Sequence, residues 1–257
     1  MNYPPGRTLP EIEHNLRAVH RRIDAACRRT GRDPGEVQLL PVTKTVDEAR
    51  LRMAWKVGCR EFGENKVQEA QRKAQALADL PGLHWSVIGH LQTDKVKYVT
   101  RFASEFQALD SLRLAAALDR RLQAEGRALD VLIQVNTSGE ASKYGLSPEA
   151  LDAFVAELPA YSSLDVKGLM TLAVFSSDST VVRACFARLR QLRDRFREAA
   201  PVGVGMETLS MGMSGDFELA VEEGATVVRI GQAIFGPRSR PDSYYWPNAD
   251  ASSDAHK

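Results

Sequence analysis

One lysine of the sequence stands where an amine could attack a carbonyl compound. Lys44 lies two residues after the apolar run at residues 39–42, which predicts that it lies at the end of a buried strand. A lysine whose stem is partly removed from water has a lowered pKa, and its amine then becomes a usable nucleophile. The alternative is a surface lysine whose ammonium group reaches out to water. Position alone leaves both interpretations open.

A second segment, residues 211–216, has the composition of a phosphate-binding loop. It contains two glycines and precedes a predicted helix over 215–222. With Ser214 as the N-cap, the first backbone N–H groups of that helix would point at an anion. Gly231, after the last apolar run, would let the backbone approach a ligand closely. Asp216 would oppose an anion unless its carboxylate points away, and an ordinary glycine-rich turn is the alternative.

A reactive lysine and a phosphate-binding loop at one site together indicate pyridoxal phosphate (PLP) as the cofactor. Lys44 would form the Schiff base with its aldehyde, and the loop would hold its phosphate. Arg229, in the apolar run that precedes Gly231, would donate a hydrogen bond to the pyridine nitrogen. Because arginine keeps its proton, that nitrogen would stay unprotonated. The alternative for Arg229 is a structural ion pair near the rim of the fold.

The positions of these side chains follow from a repeated alternation of strand and helix. After an opening helix, whose apolar residues recur every three or four positions, apolar runs bounded by turn residues predict eight strands. The strands cover 37–42, 61–64, 84–88, 105–109, 130–135, 166–172, 207–211 and 226–235, and each except the last precedes a predicted helix. Eight such units in ~250 residues predict an α/β fold, a (β/α)8 TIM barrel with an extra N-terminal helix. The alternative is a doubly wound open sheet, but no GxGxxG turn follows the first strand.

The predicted strand ends gather the candidate residues at one mouth of the barrel. Barrels carry their active sites at the carboxyl ends of the strands. Lys44 follows the first predicted strand and Asn65 follows the second.

The spacing of Thr45 and Glu48 is that of a capping box, which predicts that the next helix begins at about residue 46.

Composition and charge argue against several classes of protein. The chain has 257 residues, with 34 Lys+Arg against 33 Asp+Glu and a net charge of +1, so nucleic-acid binding through bulk charge is excluded. The arginines of residues 183–197 interleave with acids and predict a solvated helix face. The three cysteines lie far apart without CxxC spacing, so we expect neither a metal site nor a disulfide framework. No signal peptide or membrane span is evident, which predicts a cytoplasmic protein.

The motifs, taken in order, resemble those of the pyridoxal phosphate homeostasis protein family, the single-domain relatives of the alanine racemase barrel. The matching segments run from residue 41 to residue 238, and no single one is decisive. They are PVTK at 41–44, FGEN at 62–65 with QE at 68–69, WSVIGHLQ at 85–92, QVN at 134–136, SKYG at 142–145, GLMT at 168–171, LSMGMS at 209–214, VRIG at 228–231 and AIFG at 233–236.

The resemblance implies a role for particular residues and a fold of the PLP type III class. It implies that Lys44 carries the cofactor, that Arg229 approaches its ring nitrogen, and that Lys143 is an auxiliary lysine at the edge of the pocket. No catalytic residue is assigned. The cofactor-binding residues so expected are Lys44, Asn65, Met170, Ser210, Met211, Ser214, Arg229 and Gly231.

Two classes of function fit this site. The first is a monomeric protein that binds, buffers and delivers PLP, with PLP-dependent apo-enzymes as recipients, without robust turnover. The second is an amino-acid racemase, which needs acids and bases on both faces of the substrate. We expect one domain over residues 1–238 and a polar tail over 239–257, which leaves no room for the second domain of alanine racemase. His90 is the best candidate for a second base, although a histidine after a strand is more often structural.

Overall fold

Eight parallel strands form one sheet in the computed structural model, which describes residues 3–237. Around the sheet the first strand pairs with the eighth, and from the second to the eighth each strand pairs with the next in sequence; a single parallel bridge between Val42 and Gly63 joins the first strand to the second. The chain therefore folds as the predicted (β/α)8 TIM barrel. The strands are β1 Gln38–Pro41, β2 Glu61–Glu64, β3 His84–Val87, β4 Glu105–Leu109, β5 Leu129–Gln134, β6 Leu164–Met170, β7 Val204–Ser210 and β8 Val227–Ile230.

Helices alternate with these strands and cover the outside of the sheet. In the part of the chain from residue 3 to residue 237 they are α1 Leu9–Arg29, α2 Glu48–Lys56, α3 Val67–Ala76, α4 Val96–Val99, α5 Leu112–Glu125, α6 Leu151–Glu157, α7 Ser179–Ala199, α8 Phe217–Glu222 and α9 Gln232–Phe235. Their apolar faces and the strand residues bury one continuous hydrophobic core. Each crossover returns the chain to the same end of the sheet, so all eight carboxyl ends open on one mouth.

The last strand is shorter than its apolar sequence predicts. We expected a strand over 226–235, but β8 ends at Ile230. The carbonyl oxygen of Gly231 accepts hydrogen bonds from the N–H groups of Ile234 and Phe235, at 2.9 Å each, and so begins α9. An apolar run that is buried on every side has no periodicity that separates strand from helix, which is why the sequence misled here.

The extra N-terminal helix is part of the barrel's closure. One face of α1 is buried, through Ile12, Leu16, Val19 and Ile23. Asn15, also fully buried, donates from Nδ2 to the carbonyl oxygen of Ile234 at 2.8 Å. This bond links the first helix to the turn after the last strand, so the two ends of the barrel sequence are held together.

Three sequence-based predictions concern the C-terminal tail, membrane spans and metal sites. Residues 238–257, and with them the predicted tail, lie outside the described residues, so the domain boundary at residue 238 stays a prediction. Within residues 3–237, no helix is long and apolar enough to cross a membrane. In the same part of the chain, no three His, Cys, Asp or Glu side chains come together in a way that could hold a metal ion.

Candidate functional site

Lys44 lies in a tight turn at the mouth of the barrel, directly after β1. The turn spans residues 43–46 and is closed by a hydrogen bond from the N–H of Val46 to the carbonyl oxygen of Thr43, at 2.9 Å. Thr45 has a φ of 65°, the left-handed region that a type II turn requires at its third position and that glycine normally fills. A β-branched residue is strained there, so the surrounding structure must hold the turn.

This turn also corrects the predicted start of α2. The capping box of Thr45 and Glu48 is wrong, because Thr45 belongs to the turn. The cap is Asp47, whose carboxylate accepts a hydrogen bond from the N–H of Arg50 at 3.0 Å. The helix therefore begins at Glu48, two residues later than expected.

A buried group of charged side chains packs behind the Lys44 turn. Lys73 of α3 is fully buried, and its ammonium group donates to the carbonyl oxygen of Thr43 at 2.7 Å. The same group contacts Glu64 at 2.5 Å and Glu69 at 2.7 Å. Sequence reasoning gave none of these three side chains a role. A signal was present, because Glu69 and Lys73 are four residues apart on α3 and share one face of the helix.

Asn65 lies beside this turn, after β2, where the bridge between Val42 and Gly63 brings the first two strands together. Its side-chain oxygen Oδ1 is buried and has no hydrogen-bond partner among residues 3–237. Buried polar atoms are rarely left without a partner, and such exceptions are often places that a ligand or water fills. On the other side of Asn65, a Cβ at Gly89 would lie 2.2 Å from its carbonyl oxygen, so this strand junction requires a glycine.

The loop between β7 and α8 has one acid folded back onto itself. Asp216 is the N-cap of α8, whereas the sequence pointed to Ser214. The carboxylate of Asp216 accepts a hydrogen bond from the N–H of Met213 at 2.6 Å. Burial raises the pKa of Asp216, while this hydrogen bond and the charge of Arg229 lower it. The negative charge that seemed to oppose an anion is thus tied into the loop.

The outer part of the same loop has unused donors and open space. Among residues 3–237, the backbone N–H groups of Ser214 and Gly215 have no hydrogen-bond acceptor. A Cβ at Gly215 would meet no atom within 4 Å. The hydroxyl of Ser214 accepts from the N–H of Ala233 at 3.4 Å, which brings the loops after β7 and β8 together. This arrangement suits a small anion better than an ordinary turn would.

Position 231 has no room for a side chain, for a reason that the sequence did not reveal. A Cβ at this position would lie 2.9 Å from the carbonyl oxygen of Val42. The glycine is therefore needed where β8 runs against the end of β1. It also places the Gly231 backbone beside the Lys44 turn, since Val42 is two residues before Lys44.

Arg229 lies inside the barrel, 3% exposed, below the mouth. Its guanidinium group donates to the hydroxyl of Ser210 and to the carbonyl oxygen of Thr171, both at 2.7 Å. Burial lowers the pKa of Arg229 to about 10, with the charges of Asp216 and Glu105 acting in the opposite direction. At neutral pH the group therefore remains a cation and a hydrogen-bond donor.

The hydroxyl of Ser210 is engaged on both sides inside the barrel. It accepts from Arg229 and donates to the side-chain oxygen of Gln107 at 2.6 Å. Gln107 in turn donates to Glu105 at 2.6 Å, and burial raises the pKa of Glu105. The sequence did not point to this polar chain, although the alternation of Glu105 and Gln107 with apolar neighbours along β4 indicates one inward-facing polar side.

Both methionines expected at the site are fully buried in the core. Met170 is the last residue of β6 and is paired in register with Ser210. Met211 directly follows β7. Their positions at neighbouring strand ends agree with an apolar floor under the mouth.

The rim beyond β3, β4 and β5 carries a second group of polar residues. The ring of His90 stacks on Tyr144, with centroids 3.8 Å apart and planes 9° from parallel. His90 Nδ1 lies 3.5 Å from the carboxylate of Asp110. Lys143 donates to the carbonyl oxygen of Ala173 at 2.8 Å, which ties the loop after β5 to the loop after β6.

The chain matches known proteins over nearly its whole length. Residues 9–239 match the sequence profile of the family described as "Alanine racemase, N-terminal domain". The chain is 42% identical over 230 residues to a Pyridoxal phosphate homeostasis protein of Pseudomonas aeruginosa, covering 90% of this chain and 97% of that relative. It is also 42% identical over 226 residues to the protein of the same name in Aquifex aeolicus, covering 87% of this chain and 96% of that one.

A solved structure agrees with these relatives. PipY of Synechococcus elongatus, in a structure with PLP bound, is 34% identical to this chain with a TM-score of 0.77. The match covers 88% of this chain and 100% of that one.

Proposed function

This chain belongs to the alanine racemase N-terminal domain family and, within it, to the pyridoxal phosphate homeostasis proteins, and we propose that it binds PLP at the mouth of its barrel. The single observation that best supports this is the strand junction at the bridge between Val42 and Gly63. Lys44, in its turn, and Asn65 each follow this bridge by two residues, and the buried side-chain oxygen of Asn65 is unpartnered among residues 3–237. A lysine amine and an unsatisfied buried acceptor at one strand junction fit a polar ligand with an aldehyde.

Lys44 would hold the cofactor covalently. When bound, PLP supplies an aldehyde that condenses with an amine and a ring that withdraws electrons from the product. The lysine contributes the amine, and the turn fixes the direction from which it approaches. Asn65 would offer its side-chain amide to the polar substituents of the ring, and Met170 and Met211 would line the apolar floor.

The phosphate would lie against the loops after β7 and β8. The N–H groups of Ser214 and Gly215 are available as donors, and the backbone at Gly231 adjoins the Lys44 turn. Ser214 would add its hydroxyl. The hydroxyl of Ser210 already bonds to Arg229 and Gln107. We therefore propose two roles for Ser210: it holds Arg229 in place and it contacts the phosphate.

Arg229 would face the ring nitrogen of the cofactor. A guanidinium group has five N–H donors. Two nitrogen atoms of Arg229 donate one hydrogen bond each, to Ser210 and to Thr171. Because Arg229 stays protonated at neutral pH, it would leave the ring nitrogen unprotonated. An unprotonated ring withdraws electrons less strongly than a pyridinium ring does.

The biological role we propose is cofactor homeostasis. The protein would bind and buffer PLP in the cytoplasm as a monomer and deliver it to PLP-dependent apo-enzymes, without robust turnover of its own. The name of the relatives and the bound PLP of PipY support this role. Size-exclusion chromatography with light scattering tests the monomer, and reconstitution of an apo-enzyme by the loaded protein tests delivery.

Binding is tested by absorbance and trapping. Wild-type protein titrated with PLP should develop a band near ~420 nm, which borohydride should remove. Mass spectrometry should then find the reduced adduct on the peptide that contains Lys44. Lys44→Ala should lose the adduct, while Lys56→Ala, at an exposed lysine of α2, should keep it. An adduct that persists in Lys44→Ala, for example on Lys143, would contradict the assignment.

A racemase is the second candidate, and the His90–Asp110 pair is the observation that favours it. A histidine held by a carboxylate at the mouth has the arrangement of a general base. Conversion of an L-amino acid to its D-form by the loaded protein, over many turnovers and lost in His90→Gln, would establish this function. Turnover at or below one event per site supports the binding role instead.

A further inference from the structure

The turn that presents Lys44 is held by three charged side chains, Lys73, Glu64 and Glu69, which we call the Lys73 cluster. The side chains of Lys73 and Glu64 are fully buried, and that of Glu69 is 21% exposed. The ammonium group of Lys73 has three acceptors: both carboxylates and the carbonyl oxygen of Thr43. An ammonium group has three N–H donors, so all of them are used.

The cluster contacts the backbone on both sides of Lys44. Before Lys44, the carbonyl oxygen of Thr43 accepts from Lys73, and the hydroxyl of Thr43 donates to Glu64 at 2.7 Å. After Lys44, the N–H of Thr45 donates to Glu69 at 2.9 Å. Thr43 is thus anchored to Lys73 and Glu64, Thr45 is anchored to Glu69, and Lys73 joins the two carboxylates.

The turn needs such an anchor because its conformation is unfavourable. Within residues 3–237, Thr45 is the only residue other than glycine with a positive φ. A non-glycine residue in the left-handed region persists only when its surroundings over-determine it. The N–H of Thr45, the strained residue itself, donates the hydrogen bond to Glu69. Glu69 therefore acts directly on the residue whose conformation is unfavourable.

Burying an ion pair such as that of Lys73 and Glu64 is a poor way to stabilise a barrel. Removing an ion pair from water costs about as much as the pair returns, and apolar side chains of the same volume would pack as well. Apolar side chains would, however, leave the carbonyl oxygen of Thr43 and the N–H of Thr45 without these partners. What the cluster adds over an apolar core is therefore the fixed geometry of residues 43–46.

We propose that the Lys73 cluster positions the amine of Lys44 for capture of a carbonyl compound, with Lys73 and Glu69 as positioning residues. The inference rests on the proposed function, since it takes Lys44 as the residue that holds PLP. The cluster would not touch the cofactor. It would act by keeping the turn in the single conformation from which Lys44 reaches the mouth.

Glu69 offers the cleanest test, because it is partly exposed and its amide analogue keeps the hydrogen bond. In Glu69→Ala, PLP should bind about tenfold more weakly, as expected for losing a hydrogen bond to a charged group. In Glu69→Gln, the amide oxygen still accepts from Thr45, so the affinity should stay within about twofold of wild type. Lys56→Met, at an exposed lysine, serves as the control that should bind like wild type.

Urea unfolding of the same proteins separates positioning from general damage. Glu69→Ala should have a lower midpoint than Glu69→Gln, because it leaves the donors of Thr45 and Lys73 unpaired, but it should be fully folded without urea, so its weak binding of PLP is not caused by unfolded protein. Equal affinity of Glu69→Ala and wild type would overturn the inference, and so would equal weakening in Glu69→Ala and Glu69→Gln. Lys73→Met should lower the fraction of Lys44 trapped by borohydride; if it does not fold, the Glu69 pair still decides.

A measurement without cofactor keeps this inference distinct from the proposed function. If the wild-type chain binds no PLP, the proposed function fails, and amide hydrogen exchange of the ligand-free protein then tests the anchor alone. The amides of Thr45 and Val46 should exchange faster in Glu69→Ala than in wild type or Glu69→Gln. Unchanged exchange at both amides would overturn the inference whatever the cofactor result.

Discussion

At the scale of single residues, the most informative one is a threonine that carries no chemistry. Thr45 is exposed, and its backbone lies in the left-handed region at a φ of 65°. A threonine in that conformation sets its Cβ against the backbone, whereas glycine would not. The residue after the candidate lysine therefore stores strain at the mouth, as active-site residues often do.

This strain predicts an order of stability for two substitutions. The free energy of unfolding should be about 1 kcal/mol larger for Thr45→Gly than for Thr45→Ala, because alanine keeps the Cβ that is unfavourable in the left-handed region and glycine has none. Urea denaturation followed by circular dichroism measures the difference. If Thr45→Ala is as stable as Thr45→Gly, the turn is not strained at this position.

The residues of the site differ in how far the sequence could identify them. Lys44 follows an apolar strand, so its place at the mouth could be predicted. Glu64 and Lys73 could not, because they pair with each other and with Thr43 only when β1, β2 and α3 pack together. The resemblance implied that Ser210 contacts the cofactor, but its bonds to Arg229 and Gln107 could not be predicted, because they depend on three strands meeting inside the barrel.

At the scale of elements, strand β4 carries a polar side into the centre of the barrel. Glu105 accepts hydrogen bonds from Ser86 and Gln107, both at 2.6 Å. Burial is the main cause that raises its pKa above the ordinary value of 4.5. The folded protein therefore keeps the proton of Glu105 to a higher pH than the unfolded chain does.

The sign of this shift predicts how stability changes with pH. The stabilisation by a protonated Glu105 is complete below pH 4.5 and is lost as the pH rises through the raised pKa. Glu105→Gln removes this titration, so its stability relative to wild type should increase as the pH rises from 4.5 through the raised pKa of Glu105. Other carboxylates with raised pKa values, such as Asp110 and Asp216, titrate in both proteins and cancel in the comparison.

Urea unfolding across that pH range measures the prediction. Glu157→Gln, at an exposed glutamate of α6, is the control and should follow the wild-type curve. A constant difference between Glu105→Gln and wild type at every pH would contradict the assignment of the shift to Glu105.

Helix α1 shows what an added element contributes to the barrel. Asn15 is fully buried and donates to the carbonyl oxygens of Pro4 and Ile234, at 3.0 and 2.8 Å. Asn15→Ala leaves both oxygens without this donor, so it should lower the free energy of unfolding by about 2 kcal/mol. His20→Ala, at an exposed position of the same helix, is the control. Equal stability of the two variants would mean that the helix is not docked through Asn15.

At the scale of the whole molecule, the barrel follows from the order of its apolar runs. The eight strands could be predicted because each run is short, buried and bounded by turn residues. The ends of the elements could not. The turn at residues 43–46 and the start of α9 at Gln232 depend on contacts between β1, β2 and β8 that no local pattern encodes.

The closed order of the strands makes ligand binding a property of the whole barrel. The expected PLP contacts come from the ends of β1, β2, β6, β7 and β8, so binding should oppose unfolding of the entire sheet. At a PLP concentration ~100 times the dissociation constant, the wild-type protein should gain about 2.7 kcal/mol of stability and a higher Tm. Lys44→Ala should gain less at the same concentration, because only the noncovalent contacts remain, and Lys56→Ala should gain as much as wild type. Differential scanning calorimetry with and without PLP measures these shifts, and an equal rise in Tm for Lys44→Ala and wild type would show that binding does not depend on the lysine after β1.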